Sequence, residues 1–177
     1  MRRCDVSFRI AGSCRHPECM AIEGGRLGMA EFPAIVGLIR HPQEGLILYD
    51  TGYHPAFFAA TEPFPERLYR WATPVHLDAR QDACAILSAR SLASQPIEQI
   101  FISHFHGDHV AGLRHFPSAR FVYRPEPLKS LLGESAFQQV RHGFLKDVLP
   151  DDLPARGREI AEPAFQPGIG ALSEFLV

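Results

Sequence analysis

A chain of 177 residues is long enough for one domain with a buried core, and 46% hydrophobic and 21% charged residues are typical of a globular protein. The net charge of −2, with only two lysines and with arginines scattered along the chain, argues against a nucleic-acid-binding protein. No apolar run approaches the length of a membrane-spanning helix, so we expect no membrane partner.

The first predicted elements are strands. Residues 6–10 alternate between apolar and polar side chains, which predicts a half-buried strand. Two apolar, β-branched runs at 34–39 and 46–49 flank a five-residue segment that suits a hairpin turn. The second run stops at Asp50 and reaches a turn residue at Gly52, so the sequence predicts a carboxylate at a strand end.

The segment 53–76 is rich in aromatic residues and proline. Its aromatic side chains include Phe57, Phe58, Phe64, Tyr69 and Trp71. An insertion of this kind directly after a strand end favours a lid over an apolar substrate pocket. A satellite core or a dimer contact explains the same composition equally well, so both interpretations stay open.

Helices and strands alternate along the rest of the chain. The predicted elements are a helix from Asp82 to about residue 93, a strand over 99–103, a short helix from Val110, a strand over 120–123, helical segments over 128–132 and 137–148, and a strand-like apolar end at 175–177. Asp82 is a suitable N-cap for the first of these helices, and Pro96 blocks its continuation. This alternation is typical of the α/β class.

The six residues after the strand over 99–103 carry most of the chemistry, and we call them the ligand turn: His104, Phe105, His106, Gly107, Asp108 and His109. Imidazole and carboxylate are the nitrogen and oxygen ligands that zinc prefers. His104 and His106, two residues apart at a strand end, can point toward one metal ion. Asp108 and His109, one step further round the turn, can face a second ion beside the first.

The four cysteines are Cys4, Cys14, Cys19 and Cys84. Cys14 and Cys19, with His16 between them, would supply only three ligands to a small metal clip. A chain of this size does not need disulfides, so we predict free, partly buried thiols. The first residues lack the apolar region of a signal peptide, and we expect a cytoplasmic protein.

The ligand turn, the apolar strand before it and Asp50-Thr51-Gly52 upstream resemble the metallo-β-lactamase-fold superfamily, in the style of its lactonase and glyoxalase-like hydrolases. The resemblance extends over about residues 6–123. It implies an α/β fold, an αβ/βα sandwich of two halves with the metals at one edge. The first half is present and the second largely missing, so we expect residues 1–177 to form a single domain that is incomplete at the C-terminus.

The resemblance implies a hydrolase with two zinc ions. The residues that match His104 and His106 bind the first ion, those that match Asp108 and His109 bind the second, and the one that matches Asp50 supports the site loop without binding metal. Metal-bound hydroxide would be the nucleophile, and the ions would polarise the substrate carbonyl. Asp108 would lie close enough to that water to act as a general base.

The family pattern usually adds a third histidine, a bridging aspartate and a final histidine. The histidines that follow the ligand turn are His115 and His142. His115 comes too soon and is predicted to lie on the next helix, whereas His142 lacks the strand-then-turn context of a ligand. A sheet with helices on one side leaves an apolar face open. We favour a fragment of a longer enzyme over completion by a partner or second copy, or a degraded relative without catalysis.

The predicted reaction is cleavage of an ester, lactone or thioester in a small-molecule substrate, and the aromatic insertion favours a substrate with an apolar portion. The absent ligands support an alternative, a non-catalytic or truncated metal-binding domain. A second alternative resembles the persulfide dioxygenases of the same fold, because imidazole and carboxylate also suit iron. Association into a homo-oligomer is open as well.

Overall fold

The structure, a computed structural model, describes residues 3–160. Its strands are β1 (Asp5–Pro17), β2 (Met29–His41), β3 (Gly45–Tyr49), β4 (Val75–His76), β5 (Ile97–Phe101), β6 (Arg120–Tyr123) and β7 (Gly157–Glu159). They form one sheet in the order β4-β1-β2-β3-β5-β6-β7. The predicted hairpin between β2 and β3 and the predicted strand over 120–123 are confirmed. The strand-like end predicted at 175–177 lies outside the described residues.

The α-helices are α1 (Pro55–Ala60), α2 (Arg67–Ala72), α3 (Ala83–Ala89), α4 (Gly107–Val110), α5 (Pro125–Leu132), α6 (Ala136–Arg141) and α7 (Leu153–Arg156). Asp82 caps α3 as predicted, because its Oδ1 accepts a hydrogen bond from the amide of Ala85 at 2.8 Å. The helix ends four residues earlier than predicted, and Ser91 beyond it adopts a positive φ of 57°. The helix predicted over 137–148 is interrupted by Gly143, which has a φ of 65°.

The sheet is mixed, and its parallel part positions the ligand turn. Strands β1, β2 and β3 pair antiparallel, whereas β3, β5, β6 and β7 are parallel neighbours. In the β3–β5 pair, Tyr49 lies opposite Phe101. The carboxyl ends of both strands therefore meet at the same edge of the sheet. This register brings Asp50, which follows β3, next to the residues that follow β5.

The core lies between one face of the sheet and the helices. Strand residues such as Leu48, Ile100 and Phe121 pack there against helical residues such as Phe57 and Val110. Burial of these side chains provides the main driving force for the fold. The α/β class that the sequence predicts is confirmed.

The opposite face of the sheet is apolar and open. Val6, Phe8, Ile10, Ile35 and Tyr49 are each between 44% and 62% exposed. The prediction of a half-buried strand over residues 6–10 is confirmed for the strand and wrong for its burial, because Val6, Phe8 and Ile10 are all exposed. The helices occupy the other face, and no described element between residues 3 and 160 buries this one. An exposed face with five large apolar side chains is typical of a surface that another layer covers.

Candidate metal centre

Asp50 lies at the carboxyl end of β3 and is almost completely buried. Its amide donates a hydrogen bond to the carbonyl of Phe101 at 2.9 Å, which continues the parallel pairing. Its Oδ1 accepts from the amide of Ser103 at 2.8 Å, and its Oδ2 accepts from the hydroxyl of Ser103 at 2.7 Å and lies 2.7 Å from His109 Nδ1. Both carboxylate oxygens are thus engaged by residues that follow β5, Ser103 before the ligand turn and His109 at its end.

The next residue, Thr51, fixes the far end of the ligand turn. Its amide and its hydroxyl both donate to the carbonyl of His109, at 2.8 and 2.9 Å. The hydroxyl in turn accepts from the amide of Gly112 at 3.0 Å. The strand end after β3 therefore holds both the side chain and the backbone of His109.

The four predicted metal ligands lie together. The ring centroid of His104 is 4.4 Å from that of His106 and 3.9 Å from that of His109. His109 Nε2 lies 3.2 Å from Asp108 Oδ2. In the conformations that residues 3–160 adopt, however, no group of three His, Cys, Asp or Glu side chains could hold a metal ion. Asp108 and His109 pair with each other instead, and His104 Nδ1 lies 3.0 Å from the hydroxyl of Ser103.

The histidines of the ligand turn differ in pKa because their surroundings differ. Burial, followed by the neighbouring His109 and His106, lowers the pKa of His104 to about 4. Burial is also the main cause that lowers the pKa of His106. For His109, burial acts to lower the pKa, but hydrogen bonds to Asp108 and Asp50 outweigh it and raise the pKa to about 9. Burial would raise the pKa of Asp108, and the His109 hydrogen bond instead keeps it below its usual range.

These residues fit a metal ion by their chemistry. Metal ligation needs neutral imidazole, and the lowered pKa values keep His104 and His106 neutral. The carboxylates of Asp50 and Asp108 stabilise a proton on His109, and a metal ion bound at Nε2 would take the place of that proton and its positive charge. Asp50 occupies Nδ1 of His109, an arrangement common for metal-binding histidines that leaves Nε2 toward Asp108.

Gly107, in the middle of the ligand turn, packs closely against two aromatic rings. A Cβ atom at this position would lie 3.0 Å from Cε2 of Phe57 and 3.3 Å from Cε1 of Tyr69. Phe57 is completely buried and packs edge-on against Tyr69. The aromatic insertion therefore contacts the ligand turn through Phe57 and Tyr69.

A cleft of about 980 Å³ opens beside the ligand turn. Its walls come from the turn itself, from α2 with Leu68 and Tyr69, and from α5 and α6 with Leu131 and Val140. Within the insertion 53–76, Phe57 belongs to the main core rather than to a satellite core, whereas α2 lines the cleft. The lid and the dimer contact stay predictions. The volume suits a small molecule.

The two later histidines have different places. His115 lies on a short 3₁₀ helix (Leu113–His115), as predicted, and its ring packs at a tilt against that of His54, with the centroids 3.7 Å apart. His142 follows α6 and lines the cleft, where its Nδ1 lies 2.8 Å from Glu134 Oε2. Sequence reasoning did not single out Glu134, and nothing local to it indicates a place in the cleft.

The cysteines are all free, as predicted. Cys14 is buried in the wall of the cleft, where its thiol and the hydroxyl of Tyr53 are hydrogen-bonded to each other. Cys19 is exposed, and the ring of His16 stacks on Phe32 at 4.0 Å. The three residues considered for a metal clip thus have separate surroundings.

The fold and the ligand turn define a metallo-hydrolase-like α/β domain, and the comparison with known families agrees. The model of the metallo-beta-lactamase superfamily matches residues 31–159. The chain therefore belongs to the metallo-beta-lactamase superfamily. A search of curated proteins finds no match. Among residues 3–160, no helix is long and apolar enough to cross a membrane.

Solved structures share this fold at low sequence identity. An N-acyl homoserine lactone hydrolase with N-hexanoyl-L-homoserine bound at its catalytic metal centre has a TM-score of 0.68 at 18% identity, over 88% of this chain and 58% of that one. A probable metal-dependent hydrolase from Staphylococcus aureus has a TM-score of 0.65 at 13% identity, over 89% and 58%. A dizinc quorum-quenching lactonase has a TM-score of 0.59 at 13% identity, over 90% and 58%. The chain thus spans less than two thirds of the length of each of these proteins.

Replacement of Asp50 by asparagine is expected to weaken zinc binding by about 10- to 100-fold, because an amide cannot orient His109 and accept from Ser103 as the carboxylate does. Zinc titration against a competing chelator measures this change. Asp82→Asn is the matched control, because Asp82 caps α3 and is not among the residues that line the cleft. Equal zinc affinities for the two variants would contradict the orienting role of Asp50.

Proposed function

We propose that this protein is a zinc-dependent hydrolase that cleaves an ester, lactone or thioester. The observation that carries the proposal is the ligand turn, with two imidazoles, a carboxylate and the Asp50-held His109 at the side of a cleft of about 980 Å³. The superfamily membership and the lactonase and metal-dependent hydrolase neighbours support it.

Two zinc ions would be held in the complete site. His104 and His106 would bind the first, and Asp108 and His109 the second, while Asp50 would keep His109 in its orientation. When bound, zinc lowers the pKa of water and polarises a carbonyl group. Asp108 Oδ2 would receive the proton of the attacking water, since the carboxylate is ionised and adjoins the cleft. Iron is the alternative metal, because the donor set also suits it.

The substrate is proposed to be a small molecule with an apolar portion. Leu68, Leu131 and Val140 line the cleft and would contact that portion. Several structural neighbours have N-hexanoyl- or N-decanoyl-L-homoserine at their active sites, which supports an acylated lactone as the first substrate to test. The four free cysteines support the cytoplasm as the compartment.

We further propose that residues 1–177 form one domain whose second sheet layer comes from polypeptide outside them. The open apolar face around Phe8 and Ile35 and the 58% coverage of the neighbours support this. The additional layer would be part of a longer chain or of a second copy. It would also be the source of the remaining metal ligands.

The second candidate function is a metal-binding domain without catalysis. It is favoured by one observation, that no three donors among residues 3–160 are arranged to hold a metal ion. A half-site of this kind would bind a single ion weakly and would hydrolyse no substrate.

Metal content after dialysis against trace zinc separates the two candidates. For the hydrolase we expect zinc to be retained, with up to two ions per chain, together with hydrolysis of N-hexanoyl-L-homoserine lactone. Elemental analysis and a panel of esters, lactones and thioesters measure both properties. A chain that retains less than one ion and hydrolyses nothing on the panel would contradict the hydrolase and favour the half-site.

A further inference from the structure

We propose that His54 and His115 make the support of the ligand turn sensitive to acid. Protonation of His54 would remove the N-cap of α1, the helix whose Phe57 contacts the ligand turn, and would place a positive charge against the ring of His115. The ligand turn would be firmly supported at neutral pH and would loosen as the solution becomes acidic. The inference goes beyond the proposed function, because it holds whatever the ligand turn binds.

The N-cap of α1 is an imidazole. His54 has the extended backbone of an N-cap residue, and its Nδ1 accepts a hydrogen bond from the amide of Ala56 at 3.1 Å. N-caps are most often Ser, Thr, Asp or Asn, whose side-chain oxygens accept without needing to lose a proton near neutral pH. An imidazole nitrogen accepts only through its lone pair, so a proton on Nδ1 would turn two donors toward each other. This cap therefore requires the neutral ring.

The surroundings of His54 oppose a positive charge on its ring. The ring centroid lies 3.7 Å from that of His115, and α1 itself carries no charged side chain. Asp82, at the N-cap of α3, is the acidic group that acts on His54. Burial, followed by His115, lowers the pKa of His54, and Asp82 offsets only part of this effect. The folded chain therefore resists protonation of the capping ring.

Both histidines lie where α1 meets the segment that follows the ligand turn. The hydroxyl of Thr51 accepts from the amide of Gly112 at 3.0 Å, shortly before each histidine in the chain. One turn beyond the cap, Phe57 is completely buried, and its Cε2 would lie 3.0 Å from a Cβ atom on Gly107. A change in the cap at His54 therefore reaches the ligand turn through Phe57.

The direction of the pH dependence follows from the lowered pKa of His54. The unfolded chain binds a proton there near the ordinary pKa of 6.5, whereas the folded chain binds it only at lower pH. The cap therefore contributes its full stability above pH 6.5. This contribution is lost as the pH falls from that value through the lower pKa of the folded chain.

The test follows amide hydrogen exchange of the 177-residue chain at about pH 7.5 and about pH 5. Protection factors, which correct for the intrinsic effect of pH, are compared between α1 and α3, because the N-cap of α3 is the carboxylate oxygen of Asp82. We expect the protection of α1 to fall about fivefold more than that of α3, which corresponds to loss of one N-cap. An NMR titration should place the pKa of His54 below 6.5.

His54→Asn, which supplies a capping oxygen that does not titrate in this range, should make the protection of α1 change in step with that of α3. His115→Ala should leave α1 protected near neutral pH and move the loss to higher pH, because His115 lowers the pKa of His54. His41→Asn is the matched control and should keep the acid sensitivity. His41 Nδ1 likewise accepts from a backbone amide, that of Glu44 at 2.9 Å, but in the turn between β2 and β3.

The inference is overturned if α1 and α3 of the unaltered chain lose protection in parallel, if His54→Asn keeps the acid sensitivity of α1, or if His54 titrates at or above pH 6.5. Its failure is distinct from failure of the proposed function, because neither hydrogen exchange nor the titration needs zinc or substrate. A chain that binds no zinc but loses the protection of α1 in acid would contradict the hydrolase and support the role of His54.

Discussion

Substitution of Asp108 or His106 by alanine is expected to weaken zinc binding by at least about 100-fold and to abolish hydrolysis. Each substitution removes a donor from the ligand turn. Loss of Asp108 also removes the partner of His109 Nε2, 3.2 Å away, and the group proposed to receive the proton of the attacking water. Competition with a chromophoric chelator gives the affinity, and lactone turnover gives the activity.

His115→Ala is the control for both variants. The ring of His115 packs against His54 and does not line the cleft, so zinc affinity and turnover should stay within twofold of the unaltered chain. Turnover that survives in Asp108→Ala would show that the ligand turn is not the reactive centre. Equal losses in all three variants would indicate a general effect on folding.

Replacement of Phe57 by alanine is expected to lower the free energy of unfolding by about 3–5 kcal/mol. Phe57 is completely buried, and its ring packs edge-on against Tyr53 at 5.1 Å and Tyr69 at 5.3 Å. It also lies directly under Gly107, so the cavity would loosen the ligand turn. Urea unfolding followed by circular dichroism measures the stability, and zinc affinity should fall at the same time.

Phe58→Ala provides the comparison for Phe57, since its ring is only partly buried at the edge of the same cluster. We expect the free energy of unfolding to fall by less than half as much as in Phe57→Ala, with zinc affinity unchanged. An equal loss of stability in both variants would contradict the view that Phe57 connects the aromatic insertion to the ligand turn.

The part of the site that can be predicted from the sequence consists of residues that are neighbours in the chain. His104, His106, Asp108 and His109 are contiguous, and an apolar strand precedes them, so residue type and spacing are sufficient to indicate a metal site. The nearness of Asp50 to the turn follows from one further rule, that parallel strands place their carboxyl ends at the same edge. The α/β class follows from the alternation of strands and helices.

The remaining features depend on contacts that no local pattern contains. Glu134 and His142 enter the cleft because α5 and α6 fold back over the ligand turn, which is determined by packing. The apolar alternation at Val6, Phe8 and Ile10 correctly indicates a strand with one apolar face. It cannot tell which face the helices cover, and the helices cover the other one.

The hydrogen bond between Asp50 and His109 joins residues that are 59 positions apart in the chain. A growing polypeptide cannot make it until β5 has docked beside β3, a step that closes a long loop and is slow compared with local helix formation. Unfolded or partly folded chains retain His104 and His106 as neighbours but lack an oriented His109. Affinity for the proposed zinc ions is therefore expected to depend on this parallel pairing, and zinc binding during refolding would follow its formation.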